Sequence, residues 1–173
     1  VQPAIGPLPA SASGPERAAR YGHVLAVVEA LLEGEDDLIA AMATLACELH
    51  HAFEYFHWTG FYRVTQPGLL VIGPYQGGHG CLRIPFERGV CGAAARTRST
   101  LVVPDVEAFE GHIACSSSTK SEIVVPVLTP SGSLLAVLDV DSDLPDAFRP
   151  EDQAGLEAIC NELGARFTVA AGA

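Results

Sequence analysis

Apolar residues recur at helical spacing in three stretches of the chain and alternate with a period of two in most of the rest. Tyr21, Val24, Leu25, Val28, Leu31 and Leu32 form one stripe between Pro15, suited to a first helical turn, and Gly34, suited to a helix end. Leu38, Met42, Leu45 and Leu49 make a second stripe, which predicts a helix from about Asp36 to Phe53. Leu156, Ile159, Cys160, Leu163 and Phe167 make a third, predicting a closing helix over Glu151–Phe167. Ahead of the first helix, Val1 to Gly14 is Pro, Ala, Ser and Gly without periodicity and reads as a loose, disordered tail, which leaves a single domain over residues 15–169.

The period-two segments predict strands. His57–Val64 places Trp58, Gly60 and Tyr62 on one face with Thr59 and Phe61 on the other, and Gln66-Pro-Gly68 turns it into a returning strand over Leu69–Tyr75. Short strands follow at Leu82–Phe86 and Leu101–Val103, with a helical turn at Ala93–Arg96 between them. Glu122–Leu128 carries Glu122 and Val124 on one face and Ile123, Val125 and Val127 on the other. After a hairpin turn at Thr129–Ser133, Leu134–Asp141 puts Leu134, Ala136, Leu138 and Val140 on an apolar face, with Leu135, Val137, Asp139 and Asp141 opposite. The whole is an α+β domain with helices packed on one face of an antiparallel sheet and the other face left to loops and acids.

Composition narrows the class. At 173 residues and 49% hydrophobic side chains, the chain is long enough for one well-buried core. Ten Lys plus Arg against twenty-one Asp plus Glu give a formal charge of -11, which opposes contact with nucleic acid or anionic membrane, and no apolar run is long enough to span a bilayer. Five cysteines in a chain that needs no staples fit a reducing compartment, so cytoplasm is expected. The chain opens on Val rather than Met, and a segment removed ahead of it stays open. Nothing in the pattern fixes oligomeric state, so a homodimer is left open.

Cys47 and Cys160 lie on helical stripes, where a free cysteine acts as a small apolar residue. Cys81, Cys91 and Cys115 are different: they sit beside Gly, His, Ser and Arg, in segments where a thiolate can be reached and stabilised. Cys115 falls in Val106–Lys120, a polar stretch of the kind that makes a binding loop. Trp58 and Tyr62 read either as a core pair or as a pocket wall with a gap at Gly60. Asp139 and Asp141, about 7 Å apart on an aliphatic strand, either mark a solvated strand end or hold a bound ammonium group. A zinc site on His79, Cys81, His112 and Cys115 lacks any Cys-x-x-Cys pair, and a hydrolase with Cys115 and His112 needs a geometry that spacing does not supply. Thiol redox chemistry, which asks for an activated cysteine, a second within reach and access for a reductant, suits three such cysteines better.

Eight blocks in one order carry a specific resemblance: Trp58-Thr-Gly-Phe-Tyr62, Gly73-Pro-Tyr-Gln-Gly77, Cys81-x-Arg-Ile-Pro-Phe86, Arg88-Gly-Val-Cys-Gly92, Val102-Val-Pro-Asp105, His112-Ile-Ala-Cys115, Ser121-Glu-Ile-Val-Val-Pro126 and Val137-Leu-Asp-Val-Asp-Ser142. From roughly Tyr21 to Phe167 the chain resembles the free methionine-R-sulfoxide reductases, which are built on a GAF domain. The resemblance implies a six-stranded antiparallel sheet between helices and the reduction of free L-methionine-R-sulfoxide to L-methionine. It implies Cys115 as nucleophile, Cys81 as the resolving cysteine that closes a disulfide with it, and Cys91 as an auxiliary thiol. By the same resemblance Glu122, Asp139 and Asp141 handle the sulfoxide oxygen and the substrate ammonium, with Trp58 and Tyr62 around the methyl group. No cofactor or metal is implied beyond an external reductant such as thioredoxin. A non-catalytic GAF module that senses a small ligand or oxidant is the competing reading.

Overall fold

The computed structural model describes residues 6–111 and 116–167. Helix α1 (Gly14–Leu31) starts at Ser13, whose backbone N–H and hydroxyl both donate to the Glu16 carboxylate, at 2.8 and 2.6 Å. Helix α2 (Leu38–Ala52) is capped by the Asp37 carboxylate, which accepts from the Ile39 and Ala40 amides. Strands β1 (Trp58–Gln66) and β2 (Leu69–Gln76) form the first hairpin, and β3 (Arg83–Pro85) leads into helix α3 (Gly89–Thr97). Strand β4 (Leu101–Val103) and a 3-10 turn at Val106–Ala108 precede the second hairpin, β5 (Ser121–Leu128) with β6 (Leu134–Ser142), and α4 (Pro150–Arg166) closes the fold.

The six strands order as β3-β2-β1-β6-β5-β4, every neighbouring pair antiparallel. The sheet separates two apolar cores. Phe61, Ile123, Val125, Ala136, Leu138 and Val140 face α1, α2 and α4 on one side, as their alternation predicts. On the other side Trp58, Tyr62, Val124 and Val137 meet Val90, Cys91, Ala94 and Ala95 of α3. No helix among the described residues is long and apolar enough to cross a membrane.

Three expectations from the sequence need correction. The segment read as a loose tail is pinned from residue 6: Leu8 bridges Phe53 in parallel, its N–H donating to Ala52 O at 2.8 Å and its carbonyl accepting from Glu54 at 2.9 Å. Alternation on β6 also slips at its first residues. A register shift between Val127 and Leu128 sends Leu134 to the α3 side and Leu135 to the helical core, the reverse of strict parity. Finally, Cys91 does not lie in a loop but in the first turn of α3, which begins four residues ahead of the predicted turn. Gly92 makes this packing possible, since a Cβ there would stand 2.7 Å from the Pro85 and Phe86 carbonyl oxygens.

A buried polar cluster ties the ends of the chain together. Arg17 is only 1% exposed and pairs with the fully buried Asp152 of α4, while its other N–H groups donate to Ala147 O at 3.0 Å and Ala10 O at 2.7 Å. Its guanidinium lies 4.5 Å from the Tyr55 ring centroid. Asp152 also accepts from the Tyr21 and Tyr55 hydroxyls at 2.9 and 2.6 Å and from the Arg149 amide at 2.8 Å. Both ions thus have their lone pairs and protons met, the condition under which a buried pair holds. Asp152→Ala strands the Arg17 charge and is expected to cost about 3–5 kcal/mol. Urea denaturation measures it, and a loss below ~1 kcal/mol would show that the cluster is peripheral to stability.

Candidate active site

Register across three strands builds the site floor. Opposite Asp141 of β6 stand Trp58 of β1 and Glu122 of β5; one step along, Asp139 lies between Gly60 and Val124; one step further, Val137 lies between Tyr62 and Pro126. Partners directly across an antiparallel pair lie about 5 Å apart, so aromatics and acids are brought together by pairing alone. Helix α3 covers this floor and delivers Cys91, whose Sγ is 4.0 Å from Glu122 Oε1. Trp58, Tyr62, Cys91, Glu122, Asp139 and Asp141 all line one cavity of about 30 Å³, enough for a water molecule.

The aromatic wall is filled rather than gapped. Trp58 stacks on Tyr62 at 5.7 Å and on Tyr75 at 5.3 Å between centroids, and its indole N–H donates to Gly78 O at 3.1 Å. The space read as a gap at Gly60 is taken up by this stack: a Cβ there would stand 2.3 Å from the Tyr75 Cβ and 2.7 Å from the Trp58 ring. Sequence reasoning missed Tyr75. The available signal was its place opposite Gly60 in the first hairpin, where an aromatic folds over a strand glycine.

The electrostatics are one-sided. No lysine or arginine lines the cavity among the described residues. Burial raises the Glu122 carboxyl well above its ordinary range, with Asp139 and Asp141 adding to the effect. Asp139 is pushed up to about 7 by burial, against the opposing effect of hydrogen bonds from Cys91 and Glu122. Asp141, partly exposed at the mouth, is raised by burial and then by Asp139 and Asp143. Asp139, at 6% exposure, is therefore no solvated strand end, and its Oδ1 has no hydrogen-bond partner.

Of the expected cysteines, Cys81 is disulfide-bonded, whereas Cys91 carries a free thiol. The expectation of an accessible, stabilised thiolate fails for Cys91. It is 3% exposed, and burial followed by Asp139, Glu122 and Asp141 pushes its thiol well above the ordinary range. Cys115 and His112 lie outside the described residues, but Ser116 and Thr119 line the same cavity, and Gly111 O accepts from the Gly89 amide of α3 at 3.1 Å.

Carboxyl groups that bind protons more tightly when folded set the sign of the pH dependence. Their favourable contribution is fully present below about pH 4, the unfolded range, and is lost as pH rises through the folded value, about 7 for Asp139. Asp139→Asn cannot ionise. Its thermal midpoint between about pH 5 and 8 is expected to fall less steeply than that of the unaltered protein, where each proton retained contributes up to about 1.4 kcal/mol per pH unit. Parallel pH profiles for the two proteins would contradict the burial of Asp139.

Comparison with known proteins agrees with this architecture. The GAF domain family model matches residues 37–167. The chain is 47% identical over 144 residues to GAF domain-containing protein A of Dictyostelium discoideum, covering 83% of this chain and 90% of that protein. It is 38% identical over 134 residues to the free methionine-R-sulfoxide reductase of Escherichia coli, covering 78% and 80%. The structure of free methionine-R-sulfoxide reductase from Neisseria meningitidis in complex with its substrate superposes with a TM-score of 0.83 at 44% identity, covering 94% of this chain and 96% of that one. Six antiparallel strands in this order, with the acids on the α3 face, are thus the frame of a shared family: the chain belongs to the GAF-domain proteins, in the group that includes the free methionine-R-sulfoxide reductases.

Proposed function

We propose that the protein reduces free L-methionine-R-sulfoxide to L-methionine, using Cys115 as nucleophile and Cys81 as resolving thiol. The observation that carries this reading is the set of Glu122, Asp139 and Asp141 on one sheet face, with no lysine or arginine lining the cavity among the described residues. Asp139, buried with one carboxylate oxygen that accepts no hydrogen bond, fits a ligand that brings a cationic group. A free amino acid does so through its ammonium group, which Asp139 and Asp141 would take up; a residue within a polypeptide has none. Preference for the R form rests on the relatives named for it.

The chemistry needs a proton donor. The Cys115 thiolate attacks the sulfoxide sulfur, the S–O bond breaks as the protonated oxygen leaves as water, and Cys115 is left bonded to the methionine sulfur as a sulfonium; water then attacks the Cys115 sulfur, that S–S bond breaks, and methionine is released. Glu122, held protonated by burial and its acidic neighbours, suits that role. The products are methionine and a sulfenic acid on Cys115. Attack by the Cys81 thiol expels water and closes a disulfide, so two thiols are oxidised for each sulfoxide reduced. An external dithiol such as thioredoxin reopens it, with no cofactor required. That Cys81 is disulfide-bonded while Cys47, Cys91 and Cys160 are free supports this cycle.

Cys91 has a different part here. A buried neutral thiol among acids is a poor nucleophile but a serviceable hydrogen-bond donor, and it steadies Asp139. The stacked Trp58 and Tyr62 supply the apolar wall for the substrate methyl. A reducing cytoplasm would keep the cycle supplied with dithiol.

With dithiothreitol, the protein is expected to consume free L-methionine-R-sulfoxide and leave the S form, and Cys115→Ser is expected to abolish turnover. An unaltered protein inactive on the R form would instead support a GAF module that only senses its ligand, and turnover without reductant would indicate hydrolysis. Asp141→Asn is expected to raise KM roughly tenfold or more while changing kcat little, because the ammonium contact is already made in the ground state. An unchanged KM removes the anchoring role from Asp141.

A further inference from the structure

We infer that Cys91, Glu122 and Asp139 form a binding site for a thiophilic divalent cation of the zinc class, which would compete with the substrate ammonium and with the proton on Glu122 in the cycle proposed above. One ligand atom from each residue, a sulfur and two carboxylate oxygens, lies within 4.8 Å of both others, and all three side chains are buried. Around a tetrahedral ion with bonds of about 2.3 Å to sulfur and about 2.1 Å to oxygen, such atoms stand about 3.6 Å apart. The Cys91 Sγ to Glu122 Oε1 distance of 4.0 Å comes within a few tenths of an ångström of that value.

A second observation points to a ligand. Asp139 Oδ1 is buried without a hydrogen-bond partner on a side chain that lines the cavity and is hydrogen-bonded to Cys91 and Glu122, which leaves an open acceptor on one of the three ligands. The cavity of about 30 Å³ has room for a water or an ion. A water supplies the fourth position. The donor set also selects the metal. One thiolate with two carboxylates suits zinc or cadmium, whereas magnesium and calcium ask for six or more oxygens. On binding, the Cys91 sulfur exchanges its proton for the cation, and the proton leaves to solvent. A zinc site on His79, Cys81, His112 and Cys115 has no such support, because the disulfide-bonded Cys81 offers no thiolate.

Cadmium chloride is the probe, since its thiolate complex absorbs in the ultraviolet, and the oxidised protein is titrated, in which Cys47, Cys91 and Cys160 are free thiols. A band saturating at one cadmium per chain is expected, lost in Cys91→Ser, weakened at least about tenfold in Asp139→Asn and kept in Cys47→Ser. The Cys47 control matters because its Sγ lies 3.8 Å from His51 Nδ1 one turn along α2, a rival site at the surface. A band that survives Cys91→Ser, disappears with Cys47→Ser or is unmoved by Asp139→Asn overturns the inference. Asp139→Asn keeps every thiol, and circular dichroism of each variant confirms the fold, so a collapsed Cys91→Ser leaves the other two variants to decide.

Discussion

Three carboxyl groups and a thiol share one face of the sheet, with no lysine or arginine lining their cavity among the described residues, and the site is arranged around that concentration of acids. The register of β1, β6 and β5 makes it unavoidable, because Trp58, Asp141 and Glu122 are paired across one row and Gly60, Asp139 and Val124 across the next. Helix α3 then closes over the row and removes water. Desolvation drives the acids toward their neutral forms, and acidic neighbours reinforce it for Glu122 and Asp141 while hydrogen bonds from Cys91 and Glu122 oppose it at Asp139. A carboxyl kept protonated at neutral pH is a proton donor, and a carboxylate without a partner is a receptor for a cation. Both properties come from the same burial.

The opposite face of the sheet treats its charge in the other way. Arg17 and Asp152 are as deeply buried as the site acids, yet four backbone carbonyl and amide groups and two tyrosine hydroxyls complete their hydrogen bonding. That cluster joins α1, α4 and the pinned residues 8–12, and so holds the helical layer against the sheet while the strands under α3 carry the open acceptor of Asp139. The two faces separate a structural charge pair from a receptive one by the completeness of their partners, not by depth.

Much of this was legible in the sequence. The alternation in Trp58–Tyr62 and Glu122–Val127 placed the aromatics and the acid on one face, and the parity of Asp139 with Asp141 held because both lie beyond the bulge. Leu134 and Leu135 fell to the wrong sides because a register shift adds a residue that no periodicity announces. Arg17 looked like an ordinary polar helix residue; its burial depends on Asp152 and Ala147, 130 or more positions away. Residues 6–13 carry no pattern of their own and are ordered by backbone hydrogen bonds that any sequence can make, so composition alone read them as loose. Cys91 was picked out correctly as unusual, but glycines on either side suggested exposure, whereas Gly92 in fact lets α3 press against the chain that precedes it.

Among the described residues, two buried side-chain polar atoms lack a hydrogen-bond partner, and one of them is Asp139 Oδ1. A folded chain keeps such an acceptor at a cost of about 1–3 kcal/mol, which an apolar substitution on the same strand would relieve. Nothing in the packing requires it: Val137 and Val124 beside it show that aliphatic side chains fit this face. The orphaned oxygen therefore makes sense only with respect to something that is not part of the polypeptide. An ammonium group and a small thiophilic cation both meet the demand, and they differ in one respect: only the cation also engages the sulfur of Cys91.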